Sequence, residues 1–588
     1  MCGIVSIIGK NAAEQPLEAA LNALGHRGPD DRGTMAFAGA ALGQTRLAII
    51  DLSPSGHQPM KDNTKNIAIT FNGEIYNYQE LRKELESKGH QFSTHSDTEV
   101  ILKAYQEYGS ECPKKLDGMF AFVIWDEEKK VAFMARDRFG KKPLFYAYTP
   151  EGALAVASEI KALKAAGVKT EIDPQSIDAY LTLMYVPPWR SIYKNVHTIL
   201  GGQCATYLPA QAGKNDALKI ETYWTMERKP VTLSYNDAKE EVRRLFSNAV
   251  QKRMVAADVE VGAFLSGGID SSLVTEYAQR VLDRPLQTFS LGYGDLIDEL
   301  PFAQQLAKKV GTNHRTLQAS ADLIHEFEAA MAYFDEPHGD PADFPQHLLS
   351  QETSKYVKVA LSGEGGDEMF LGYGRYFSYW HTSKLSRLRN MLFSNQYKDF
   401  LKNQTVFPLS LRKSLQKESS NIWNEPIDKL VQDFSGSAIE KMALFDITTN
   451  MQGQLLTKVD EMGMMHGLEV RCPFLDYKLA EFAFNLPTEY KTDGTTGKLI
   501  LKDLLAETMP REFVDRKKQG FGAPVRKWLQ EPAMRSYVET TFKDARVYEY
   551  LDKSAVQKFI KQTYAGQKPK GYYQLWTLLC LEVWLSKH

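Results

Sequence analysis

Cysteine is scarce and scattered in this chain. The five cysteines among 588 residues (Cys2, Cys112, Cys204, Cys472 and Cys580) form no CxxC pair, which argues against a zinc ribbon or a disulfide framework. Excess charge is missing too. Lys and Arg total 71 against 73 Asp and Glu, for a formal net charge of −2. That balance gives no electrostatic case for a nucleic-acid or anionic-membrane partner. No run reaches the ~20 apolar residues of a membrane span, and the amino-terminal residues lack the basic n-region of a signal peptide. A cytoplasmic address is the expectation. Internal repeats and extended low-complexity segments are lacking as well. What is present is an ordinary globular composition, 43% hydrophobic and 24% charged, in a chain too long for one core. Two or more domains are expected.

The most informative residue is Cys2. It leads into Gly3-Ile4-Val5-Ser6-Ile7-Ile8-Gly9, a β-rich run able to anchor the chain start in a sheet. A small residue at position 2 permits removal of Met1, which would place a thiol and a free α-amine on one carbon. The thiolate attacks, and an amine of pKa ~7.7–8.0 shuttles the proton. Alone, such a cysteine reads as a small hydrophobe; the chemistry depends on partners elsewhere.

The first 200 residues alternate short β-like runs with turns: 67–71, 119–125, 131–135 and 144–148. Helical patterns cover 78–88 and 97–108, the second opening on Asp97. An α+β domain over 2–208 is expected. The small, polar stretch 209–236 reads as a linker. From 237 the texture changes. A helical stretch to Val255 precedes the apolar run 259–265, a Gly-rich turn, a helix over 272–281, a strand over 286–291 and a helix over 301–310. That order is the mark of a parallel, Rossmann-like sheet, giving a second domain over 237–588. Beyond Gly372 the pattern is mostly helical. Its basic stretch 384–417 reads as solvated surface.

An amide-cleaving thiol enzyme needs an oxyanion hole and groups for the charged ends of its substrate. The run Asn72-Gly73-Glu74-Ile75-Tyr76-Asn77 could form the hole from the Asn72 side chain and the Gly73 N–H, although Asn-Gly is also a plain hairpin turn. Arg46 could fork onto a carboxylate. Together with Cys2-Gly3-Ile4, His26-Arg27-Gly28-Pro29-Asp30, Arg46 to Asp51 and Ser96-Asp97-Thr98-Glu99, this ordered set resembles the glutaminase domain of class II glutamine amidotransferases. The resemblance implies an N-terminal-nucleophile αββα sandwich, with Cys2 as nucleophile and Asn72 and Gly73 as oxyanion hole. It places Arg46 on the glutamine α-carboxylate, with Leu47, Ala48, Ile49 and Ile50 beside it. Glu74 and Asp97 would hold the α-ammonium. The products would be a thioester on Cys2 and free ammonia.

A second set lies between an expected strand and helix: Leu265-Ser266-Gly267-Gly268-Ile269-Asp270-Ser271-Ser272. Its glycines let the backbone close on phosphate, and Ser271 and the helix N-terminus supply donors. No Walker lysine follows, so this is not a γ-phosphate P-loop. A second Gly-rich acidic loop, Ser362-Gly363-Glu364-Gly365-Gly366-Asp367-Glu368, follows another apolar run. Asp270 and Asp367 are suitable hard ligands for Mg²⁺. Thr457-Lys458-Val459-Asp460, Leu468 to Asp476 and Lys518 to Pro524 follow in order.

Over nearly the whole chain these motifs resemble the glutamine-hydrolysing asparagine synthetase family. That implies an ATP-pyrophosphatase domain with Leu265, Leu291, Ser362 and Gly363 lining the nucleotide pocket. An acceptor carboxylate would attack the ATP α-phosphate, and ammonia would displace AMP. Lys458 would neutralise phosphate charge, and Glu364 would position or deprotonate ammonia. Arg471 and Glu368 are candidates for holding aspartate. A homodimer and a sheltered ammonia passage are also implied. Two departures from the family pattern, Leu200-Gly201-Gly202-Gln203 at the domain junction and Cys472, touch no expected catalytic group.

A rival reading keeps both half-reactions with a different acceptor, such as a sugar acid in surface-polysaccharide synthesis; fold cannot separate the two. A tRNA-modifying enzyme should show a basic face and paired cysteines. A non-catalytic regulator should have lost Cys2, Asp270 or Glu364, and all three remain.

Overall fold

The computed structural model describes residues 2–62, 66–213, 217–292, 299–318, 323–377, 396–416, 431, 433–516 and 522–588. The amino-terminal half builds two antiparallel sheets. In chain order its strands are β1 (Gly3–Ile8), β2 (Asp31–Ala36), β3 (Ala40–Arg46), β4 (Met60–Asp62), β5 (Ile67–Ile75), β6 (Gly118–Asp126), β7 (Val131–Arg136), β8 (Phe145–Tyr148), β9 (Leu154–Ala157), β10 (His197–Thr198), β11 (Gln203–Tyr207) and β12 (Leu218–Thr222). One sheet runs β10-β8-β9-β1-β3-β2 and the other β12-β11-β7-β6-β5-β4.

Alternation along the strands explains the layering. Ile4 and Ile8 of β1, Leu42 of β3, Val123 and Trp125 of β6 and Met134 of β7 form a core between the sheets. Val5 and Ile7 point the other way, onto Leu21, Ile160 and Leu163 of helices Leu17–Ala23 and Ile160–Ala165. Phe71, Phe120 and Phe122 on the second sheet's outer face pack on helices Tyr78–Ser87 and Asp97–Tyr108. Helix, sheet, sheet and helix make an αββα sandwich.

The second half adds β13 (Val261–Phe264), β14 (Gln287–Gly292), β15 (Asn313–Gln318), β16 (Val359–Leu361) and β17 (Glu469–Arg471). They form one fully parallel sheet in the order β15-β14-β13-β16-β17. The order reverses at β13, so the crevice beside its carboxyl end is a topological switch point, where open α/β sheets bind ligands. The rest is helical. The closing helix Gly571–Lys587 buries Trp576 and Trp584. Their indole N–H groups donate to Gly339 O (3.2 Å) and Phe334 O (2.9 Å), and Tyr180 of the first half donates to Thr577 O (2.9 Å).

The stretch 209–236 is not a loose tether. Its β12 pairs with β11, the Trp224 indole donates to Glu481 (2.7 Å) and the Val231 N–H to Asn485 O (3.0 Å). The helix expected over 272–281 begins earlier, at Ile269. Within the basic stretch 384–417, residues 384–395 and 417 lie outside the described residues. Arg412 departs from the expected solvated surface: it is buried and paired with Asp178.

Candidate active sites

The start of β1 runs between β3 and β9, which places Cys2 at the head of a buried strand, 7% exposed. The Cys2 N–H donates to Asn72 Oδ1 (3.1 Å). Asn72 lies on β5, fully buried, and its Nδ2 has no hydrogen-bond partner among the described residues. Asn72 is thus tied to the Cys2 main chain while its own amide donor stays unpaired. Gly73 sits at φ +148°, and a Cβ there would come within 2.0 Å of Met119 O, so only glycine fits this backbone. Burial pushes the Cys2 thiol up. The Leu47 N–H, the Arg46 charge and the Gln44 side chain oppose that rise.

Two buried carboxylates belong to the same region. Asp97 opens the helix Asp97–Tyr108 behind the Ser96 cap and accepts from the Ile75 N–H (3.0 Å). Burial raises its pKa to about 6. Glu74, 4% exposed, has one oxygen 3.4 Å from Arg471 and the other without a hydrogen-bond partner. Burial and then the nearby Glu469 push it well above the usual carboxylate range, with Arg471 opposing. Arg46 braces the following turn, donating to Ile50 O (2.9 Å) and Asp51 O (2.8 Å). The turn 47–50 thereby folds back toward Cys2.

The second centre is a cleft of about 990 Å³ at the carboxyl ends of the parallel strands. Leu265, Ser266, Gly268, Asp270, Ser271, Leu291, Ser362, Gly363, Glu364, Asp367 and Lys458 all line it. Gly267 does not; at φ +80° it packs against Ala303 and Phe302 and makes the turn. The helix Ile269–Val281 has no side-chain cap, so its N-terminal N–H groups meet the cleft. The loops fit closely because they lack Cβ atoms: one on Gly363 would lie 2.8 Å from Asp270 Cβ, and one on Gly366 2.5 Å from Asp270 Oδ1.

Lys458 lies 3.5 Å from Asp340 and 3.7 Å from Glu364. Burial pulls its ammonium down, but Glu364 and Asp340 outweigh burial and hold it above the usual lysine range. Burial raises Glu364, with Lys458 opposing.

Three cleft residues carry no local signal in the sequence. Asp340 and Arg516 line the cleft. So does Lys498, whose ammonium contacts Asp270 and lies 2.9 Å from Asp367. Its backbone is left-handed, φ +61°, a strained conformation of the kind that gathers at functional sites. The Asp270–Asp367 pair is therefore built around positive charge. No group of three or more metal-ligating side chains occurs among the described residues. A site with two carboxylates fits Mg²⁺, which keeps its waters and its substrate phosphates.

Two expectations are corrected. Arg471 does not reach the cleft: it is fully buried at the domain junction, donating to Glu469 (2.7 Å), Arg253 O (2.7 Å) and Ala256 O (2.8 Å). Glu368 lies behind the cleft wall, accepting from Tyr373 (2.5 Å). Residues 518–521 of the motif Lys518 to Pro524 lie outside the described residues. A small cavity of about 50 Å³ at the junction is lined from both halves, by Arg136 and Lys141 and by Glu336, Leu456 and Asp460 among others.

A buried cysteine at the head of β1, its main chain tied to an asparagine with an unpaired amide donor, joined to an ATP-pyrophosphatase-type cleft, defines a glutamine amidotransferase fused to a synthetase. Comparison with known proteins agrees. The family model "Glutamine amidotransferase domain" matches residues 1–224 and the model "Asparagine synthase" matches residues 241–586. Asparagine synthetase [glutamine-hydrolyzing] 1 of Bacillus subtilis (strain 168) is 34% identical, covering 100% of this chain and 96% of that protein. Asparagine synthetase [glutamine-hydrolyzing] 3 of the same organism is 31% identical, covering 100% and 99%. A putative asparagine synthetase [glutamine-hydrolyzing] of Mycobacterium bovis is 33% identical, covering 99% and 97%. The chain belongs to the glutamine-hydrolysing asparagine synthetase family, and the sugar-acid reading is not favoured.

Proposed function

We propose that Cys2, freed of Met1, attacks the glutamine side-chain amide while its own α-amine accepts the thiol proton and passes it to the leaving ammonia. Asn72 Nδ2 and the Gly73 N–H receive the oxyanion. The open partner position of the buried Asn72 amide carries this reading, because a donor buried without a partner costs about 1–3 kcal/mol unless a ligand supplies one. Arg46 takes the α-carboxylate, with Leu47, Ala48, Ile49 and Ile50 closing the pocket. Glu74 and Asp97 take the α-ammonium, whose positive charge counters the burial and the neighbouring Glu469 that raise Glu74.

In the cleft, the aspartate side-chain carboxylate attacks the ATP α-phosphate, and pyrophosphate leaves. Ammonia then displaces AMP and yields asparagine. The Ser266–Ser271 loop and the adjoining helix N-terminus hold phosphate, and Leu265, Leu291, Ser362 and Gly363 border the nucleotide. Lys458 and Lys498 stabilise the charge that develops on the leaving pyrophosphate. Glu364 orients ammonia and takes a proton from it. Mg²⁺ would be held by Asp270 and Asp367 and would supply charge neutralisation on the phosphates.

The first domain runs from residue 2 through β12 at Thr222, the second over 237–588, with 223–236 joining them, and the protein works in the cytoplasm as a homodimer. No helix among the described residues is long and apolar enough to cross a membrane. The test is to mix purified protein with glutamine, ATP, Mg²⁺ and aspartate and to follow asparagine, AMP and pyrophosphate. Asparagine and AMP rising together support the reading. Glutamate release without either sends the search to another acceptor, and Met1 retained on the active protein sinks the role of the amine.

A further inference from the structure

The helix Leu456–Met464 is the wall between the two centres. Lys458 faces the cleft. Asp460, two residues on and therefore on a different side of the helix, faces the glutaminase half. There it meets Arg27, which is 0% exposed. The Arg27 guanidinium donates to Asp460 Oδ2 (2.8 Å), to Glu159 Oε1 (2.7 Å) and, through Nε, to the carbonyl oxygen of Cys2 (3.1 Å). Asp460 also lies 3.4 Å from Lys142. One buried cation thus grips the main chain of the nucleophile and the helix that carries Lys458.

Neighbouring contacts hold the same wall. Asp335 accepts from Ile160 N (2.5 Å) and Lys161 N (3.2 Å) of the first half, and its own N–H donates to Glu461 (3.2 Å) on the wall helix. The helix is preceded by π-helical turns over Asp446–Leu455, an uncommon geometry often found at functional sites. A buried ion pair is weak evidence for stability, since apolar replacements often serve as well; its best-attested use is to fix register. Here the register is that of Cys2 relative to Lys458.

We propose that Arg27 and Asp460 are positioning residues that couple the two centres, so that the state of Cys2 sets the placement of Lys458 and the occupancy of the cleft sets the placement of Cys2. This rests on the two-centre function above. Coupling between binding events is reciprocal, and its usual size is about 5–150-fold.

The test uses the full-length chain carrying Asp460→Asn, and separately Arg27→Lys, which keeps a charge for Asp460 but loses the Nε bond to Cys2. Four quantities are read: glutamate released from glutamine alone, its rise when ATP and aspartate are added, asparagine made from ammonium, and asparagine made per glutamate. Both half-reactions are expected to persist in each variant. The stimulation by ATP and aspartate should be lost, and asparagine per glutamate should fall at least about fivefold. An unchanged ratio in either folded variant overturns the proposal, as does an unsubstituted chain whose glutamate release ignores the cleft. If Asp460→Asn fails to fold, Arg27→Lys decides alone. Absence of asparagine synthesis from either nitrogen source in the unsubstituted chain would instead sink the parent reading.

Discussion

Around Cys2 the chemistry-bearing groups are nearly sealed. Cys2, Arg46, Asn72, Glu74 and Asp97 are at most 7% exposed and sit on strands, strand ends or a helix start. Around Lys458 the groups come instead from the loops and helix starts that follow β13 and β16 and from the helix Leu456–Met464, and they line an open cleft of about 990 Å³. A first centre proposed to take a small zwitterion can be built rigid, with burial sharpening every charge–charge contact. On the proposed reaction the second admits a nucleotide and an acid together and then releases three products, pyrophosphate, AMP and asparagine, a task suited to loops on a scaffold. Burial leaves its mark on the first centre in the raised carboxyls of Glu74 and Asp97. In the second, lysines answer the acidic groups: Lys458 beside Glu364 and Asp340, Lys498 beside Asp270 and Asp367.

Substitutions should separate the two centres. The largest effect is expected for Cys2→Ala, which should lower glutamine-dependent asparagine synthesis by at least about 10⁴-fold. Synthesis from ammonium, measured in the same preparation, should persist. Asn72→Ala should cost glutaminase kcat about 10²–10³-fold, the usual price of one oxyanion donor, again sparing the ammonium reaction. Lys498→Met is the converse: pyrophosphate release should fall about 10²-fold, while glutamate release from glutamine alone continues. Equal loss of both activities would show that the centres are not separable.

A pH profile probes the same contrast more gently. Asp97 titrates at about 6, so it loses its charge as pH falls through that value rather than near the ordinary ~3.9 of an aspartate. The KM for glutamine should therefore rise below pH 6, by up to about tenfold per unit. In Asp97→Asn the KM should already be high and flat across this range. In the ammonium reaction, whose own pH dependence follows the supply of unprotonated ammonia, Asp97→Asn should leave the profile unchanged.

The smallest and most local effect is expected at Gly73. Adding a Cβ at φ +148°, within 2.0 Å of Met119 O, should lower stability by about 1–3 kcal/mol and be read as a drop in Tm with glutaminase activity lost first.

The periodicity of residues 67–71, 97–108 and 272–281 already marks β5 and two helices in the sequence, because alternation and helical spacing are local properties. Both Gly-rich loops are equally legible, since their glycines answer a local demand for backbone approach; the structure sets both at one cleft. Lys498 was invisible for the opposite reason. Its role comes from meeting Asp270, 228 residues away, and nothing in the adjoining Thr495-Thr496-Gly497 announces that. Arg471 misled because its strand β17 pairs with β16, which leads into the acidic loop of the cleft, while its side chain turns to the junction and to Glu74.

By itself the sequence determined the two-half architecture, the cysteine at position 2 and the ordered motifs, all of which depend on short-range pattern and residue type. Only the tertiary structure decided which charges pair across the halves: Arg27 with Asp460, Arg471 with Glu74, and Lys498 with Asp270 and Asp367. Pairing depends on distance and desolvation, and both arise only when remote segments are packed together.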